Sequence, residues 1–179
     1  MRKFLTVSLI SALTIGIAFF LPGRVWAEFD GLPAHPLIIH GVVVLLPFFA
    51  ILLLVGIFKK KLLHKFHLPI IGTLALSVVG AIAAKSSGYS LSAVVGLPNS
   101  HAQLGNYLVL LAIALFSSFL LYLYFSFYKK NKIASSTLGV LMAFLAVGTI
   151  GMTYAVGHSG AESVWKYRYD IGKEQQGLP

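Results

Sequence analysis

The sequence predicts an all-α fold, an integral membrane four-helix up-down bundle preceded by a signal peptide. Three observations predict it. Of the 179 residues, 58% are hydrophobic and only 11% charged, with a mean hydropathy of +0.86, whereas soluble domains carry about 25% charged residues. Four apolar runs of near-bilayer length follow an export-like start. The lysines and arginines gather at the ends of those runs, as membrane insertion requires. That clustering removes the nucleic-acid reading that a net charge of +9 would otherwise invite. The absence of cysteine excludes disulfides, thiolate metal sites, cysteine-attached haem and cysteine nucleophiles.

The first element reads as an export signal, residues 1–27. Arg2 and Lys3 precede the apolar run Phe4 to Leu21, Pro22-Gly23-Arg24 breaks it, and Val25-Trp26-Ala27 presents small residues at the positions a signal peptidase reads. Cleavage after Ala27 would start the mature chain at Glu28. The rival reading is a retained signal anchor, since 18 apolar residues is long for such a region. Removing Arg2, Lys3 and Arg24 leaves 11 basic against 5 acidic residues, a net +6.

The transmembrane domain then occupies residues 28–179. A helix needs about 20 apolar residues to cross the hydrocarbon. The four runs predict helices over about 40–58, 68–84, 104–128 and 133–157, with an external tail over 158–179. None alternates like a strand, and an isolated strand leaves its backbone unsatisfied in lipid. No internal repeat is evident, and there is no room for a separate soluble domain. Tyr122, Tyr124, Phe125, Phe127 and Tyr128 end the third helix as an aromatic belt.

Orientation follows from charge. The first link carries Lys59, Lys60, Lys61 and Lys65, the third carries Lys129, Lys130 and Lys132, and the second carries only Lys85. The first and third links are therefore expected in the cytoplasm. The mature N-terminus, the Lys85–Ser100 loop and the tail are expected outside, at a bacterial inner membrane. The export signal demands the same outside N-terminus.

The histidines carry what functional signal there is. His64 and His67 sit in the lysine-rich link and read as solvated residues near headgroups. His35, His40, His101 and His158 come from three helices yet share one depth at the outer face. Neutral imidazole is the commonest metal ligand and also binds haem iron. The first and third helices of such a bundle are diagonal, so His40 and His101 are the expected ligand pair. His158 ranks third. His35 ranks fourth, because five residues turn it roughly 140° from His40 on a continuous helix and Pro36 would leave it outside regular helix. In the tail, Trp165, Tyr167 and Tyr169 alternate and read as headgroup contacts, and Arg168 is a candidate partner for a haem propionate. The expected cofactor is haem b or a transition metal ion, in a redox role with an extracytoplasmic electron carrier as partner.

Other classes find little support. The inner halves of the helices hold no histidine, which disfavours a two-haem conduit across the bilayer. No intramembrane Asp, Glu or Arg suggests a proton-coupled transporter. No phosphate loop, hydrolase motif or carboxylate pair marks a catalytic residue, so a stand-alone enzyme is not expected. The alternative to a redox protein is a structural or assembly subunit whose external tail docks a partner.

Pro33-Ala34-His35-Pro36-Leu37-Ile38-Ile39-His40, followed by an apolar run containing Pro47, resembles the opening His-Pro and second histidine of a family of small bacterial four-helix membrane proteins of unknown function. His101 resembles the histidine that opens that family's third helix. Gly157-His158-Ser159-Gly160 and the stretch Val164 to Gly172 resemble its closing turn and tail, with Ala161 and Asp170 standing where glycine is common. The likeness covers the mature chain. It implies a four-helix membrane fold. Because such proteins are sometimes fused to or encoded beside Rieske-type or cytochrome c-type carriers, it also implies a haem or redox association at the outer face.

Overall fold

The computed structural model describes residues 1–96 and 99–176, and the side chains of all of these except 99, 167–170 and 172–176. Helix α1 spans Arg2–Phe20, and a 3-10 turn follows over Gly23–Trp26. A two-stranded hairpin pairs β1 (Glu28–Phe29) with β2 (Leu32–Pro33). The bundle proper is α2 (Ala34–Phe58), α3 (Lys60–Val95), α4 (Asn99–Leu123) and α5 (Lys132–Gln176), with a π-helical turn Tyr124–Tyr128 closing α4.

Each boundary has a local cause. Asp30 and Gly31 both take positive φ, 51° and 74°, as a two-residue hairpin turn requires. Pro36 lies in the first turn of α2, where its missing N–H would have had no helical partner. Asn131 caps α5, its Oδ1 accepting the Ala134 N–H at 3.0 Å.

Four helices form a square. The neighbours are α2 with α3, α3 with α4, α4 with α5 and α5 with α2, so α2 and α4 are diagonal. Each turns an i, i+3/i+4 stripe inward: Val42, Leu46, Phe49 and Leu53 on α2, and Leu108, Ala112, Leu115 and Phe119 on α4. The opposite face of α2 exposes Val44, Phe48, Ile51 and Val55. A helix apolar on every side belongs in lipid. Polar residues between the helices satisfy themselves on their own turns: Thr149 Oγ1 donates to the Leu145 carbonyl at 2.7 Å, and Thr153 Oγ1 to the Thr149 carbonyl at 2.7 Å.

Three expectations are corrected. Five helices, not four, are long and apolar enough to cross a bilayer among the described residues. The fifth is α1, whose Phe4, Ile15 and Ala18 are buried in the bundle's core, where α1 packs along α3. Its 19 residues are as long as a spanning helix needs to be. The segment from Lys85 is not a loop: α3 continues to Val95, with no proline between Lys85 and Gly96, which takes φ +85° and ends the helix. Gly157–Gly160 is likewise no turn. It lies inside α5, whose 45 residues run about 67 Å, well beyond the roughly 30 Å of hydrocarbon.

Candidate functional site

His35 is the second residue of α2 and His101 the third of α4. Both open a helix at the same end of the bundle, on diagonal corners. Both rings are half-buried and lie 6.3 Å apart, centroid to centroid, with planes 85° apart. They share a cavity of about 660 Å³ at that end, otherwise lined mostly by apolar residues of α2, α3, α4 and α5.

The two histidines are held in matching ways. His35 Nδ1 lies 2.8 Å from the Ala84 carbonyl oxygen and 3.4 Å from Ser87 Oγ, and the Ser87 hydroxyl donates to that carbonyl at 3.0 Å. His101 Nδ1 lies 3.0 Å from Ser159 Oγ, and the Ser159 hydroxyl donates to the Val156 carbonyl at 3.1 Å. Carbonyls only accept, so His35 Nδ1 donates to Ala84 and its neutral ring carries the lone pair on Nε2. The Ser159 hydroxyl can accept from His101 Nδ1 while it donates to the Val156 carbonyl, an arrangement that gives His101 the same form.

A glycine completes each seat. A Cβ on Gly88 would stand 3.1 Å from His35 Cε1, and one on Gly160 3.0 Å from His101 Cε1. Ala84, Ser87 and Gly88 on α3 thus do for His35 what Val156, Ser159 and Gly160 on α5 do for His101. The two seats are built alike, one within the α2–α3 hairpin and one within the α4–α5 hairpin. Sequence reading found no repeat. The one available signal was Ser-Gly at 87–88 and at 159–160.

The remaining candidates are held differently. His40 is on the cavity wall but exposed, with its Nδ1 turned back to the Pro36 carbonyl. His158 is exposed and stacked on Tyr154, centroids 5.9 Å apart, and is not on the cavity wall. Sequence reasoning ranked His40 first and His35 last. Helix α2 runs unbroken through Pro36 and carries His35, not His40, to the partly buried side. Arg168 lies outside the described side chains, whereas Lys85 stands on the cavity wall. Sequence reading did not select Lys85. No group of three or more His, Cys, Asp or Glu side chains fit to hold a metal ion occurs among the described residues.

Residues 31–173 match the family of predicted membrane proteins designated DUF2231. The chain belongs to that family. The match takes in α2 to α5, both histidine seats and the cavity, and begins after α1. With the apolar helices it establishes a multi-pass membrane protein. No curated protein and no solved structure matches the chain.

Proposed function

We propose that the DUF2231 bundle binds a b-type haem in the cavity at its histidine end, with His35 and His101 as the two axial ligands. One observation carries this reading: two imidazoles on diagonal helices, with ring centroids 6.3 Å apart in a largely apolar cavity. With metal–nitrogen bonds of about 2.0–2.1 Å, one metal ion held by both imidazoles would fit between rings whose centroids are 6.3 Å apart. A site with two protein ligands suits haem, whose own nitrogens fill the other positions.

The seats supply what such ligands need. An Nδ1–H bound to a carbonyl or hydroxyl oxygen fixes ring orientation and raises the basicity of Nε2. Lys85 supplies a cation for an acidic substituent at the cavity mouth, and the apolar walls restrict water. Bound haem supplies one-electron chemistry, and the proposed partner is an electron carrier on the same side of the membrane.

The test is an absorbance spectrum of detergent-purified protein from haem-replete cells, with metal analysis alongside. A Soret band that sharpens and shifts on dithionite reduction is expected. A colourless preparation carrying copper or zinc would replace haem by a metal ion. A colourless, metal-free preparation would leave a subunit that docks a partner through its long α5.

The orientation proposed with this function puts the histidine end outside and the lysine links in the bacterial cytoplasm, with residues 1–27 acting as the export signal. Reporter fusions after Lys61 and after Lys130 should score as cytoplasmic, and a fusion at Ser92 as external. Intact mass should show a chain starting at Glu28, and a chain retaining Met1 would make α1 a permanent fifth helix. A Lys130 fusion active only outside would reverse the topology.

A further inference from the structure

The end of the bundle opposite the histidines carries a different site. Phe58 ends α2, Lys59 alone links it to α3, and Lys60, Lys61 and Lys65 follow on the first turns of α3. All are exposed, and with Phe66 they surround a cleft of about 720 Å³. Lys65 Nζ sits 5.1 Å over the Phe66 ring. From Leu62 and Phe66 a second, wholly apolar groove of about 290 Å³ runs up between α2 and α3, walled by Phe49, Leu52, Pro69 and Ile70. The two clefts share Leu62 and Phe66 and so meet directly.

Charge balance makes this more than an orientation signal. The sequence has no Asp or Glu between residues 31 and 161. Its acidic residues are Glu28, Asp30, Glu162, Asp170 and Glu174, on segments that flank the histidine end of the bundle. The chain's own sequence therefore brings no carboxylate to the four lysines of the cleft, and their counter-ion must come from outside. The cleft takes an anion, and the groove beside it takes a hydrocarbon chain.

We propose that this paired cleft and groove binds one anionic phospholipid. Its phosphate-bearing headgroup rests among Lys59, Lys60, Lys61 and Lys65, and one acyl chain lies along Phe49, Leu52, Phe66 and Ile70. Basic pockets between transmembrane helices are a recurring means of holding such headgroups. The site stands independently of the haem proposal and lies at the far end of the bundle from it.

Native mass spectrometry of the full chain from detergent, titrated with phosphatidylglycerol or with phosphatidylcholine of identical chains, tests this. A one-to-one phosphatidylglycerol adduct is expected, at least about ten-fold favoured over phosphatidylcholine. Neutralising the cleft lysines to glutamine should weaken it by about five-fold per residue, and arginine should restore it. Phe66→Ala, which changes no charge, should also weaken it. Lys129→Gln with Lys130→Gln removes two charges outside the cleft and should leave the adduct intact. Equal binding of the two lipids would overturn the site. So would equal loss in the Lys129/Lys130 variant, or binding of glycerol phosphate as tight as that of the whole lipid.

Discussion

On the proposed haem reading, replacing His35 or His101 by alanine is expected to strip the haem from the purified protein while leaving membrane insertion unchanged. Each ring supplies one of the two Nε2 lone pairs, so the loss should exceed the 10–100-fold typical when only a residue supporting a metal ligand is removed. Ser159→Ala should fall within that range, since Ser159 Oγ is the side-chain partner of His101 Nδ1 at 3.0 Å, and Ser87→Ala should cost less, since His35 Nδ1 keeps the Ala84 carbonyl at 2.8 Å. Added free imidazole should recover the reduced spectrum in either histidine variant, because the vacated seat is still shaped for that ring. His40→Ala and His158→Ala should keep the Soret band. So should His64→Ala and His67→Ala, which lie at the lysine end, about 30 Å of hydrocarbon away. Loss of haem in His40→Ala with retention in His35→Ala would refute the pairing.

Much of this was legible in the sequence, for definite physical reasons. Lipid forces long uninterrupted apolar helices, so the order of α2 to α5 could be read directly, whereas α1, also long and apolar enough to cross a bilayer, was read as a removable signal and not as a fifth helix. The diagonal placement of α2 and α4 follows from short antiparallel links. Two features were not legible. The choice between His35 and His40 depends on where α2 begins, and a proline that breaks a helix interior is harmless in its first turn. The likeness of the two histidine seats was hidden because the two hairpins share little more than Ser87-Gly88 and Ser159-Gly160 around it. Their links also differ: Lys59 alone joins α2 to α3, whereas residues 124–131 join α4 to α5. Serine and glycine recur throughout apolar helices, so the pattern acquires meaning only once each Ser-Gly step is seen under a histidine ring.

That equivalence gives the second prediction. Enlarging either glycine should damage the site from behind, by pushing a ligand ring off its acceptor and not by removing it. A Cβ added at Gly88 or Gly160 would stand 3.0–3.1 Å from the ring, so alanine already makes the ring give by a few tenths of an ångström and valine displaces it much further. Overpacking of this kind costs about 1–3 kcal/mol, which corresponds to roughly 5–150-fold faster haem loss from Gly88→Val or Gly160→Val. Because the two seats match, the two valine variants should behave alike. Each should also be silent in combination with alanine at the histidine it supports, since residues acting through one contact are not additive. Gly160→Val should therefore add nothing to His101→Ala yet add its full effect to His35→Ala. Haem dissociation rates measure this in the single glycine variants, and thermal unfolding midpoints measure it in the paired variants, which carry no haem. Equal additivity in both backgrounds would mean that the glycines act on the fold as a whole and not on the rings they touch.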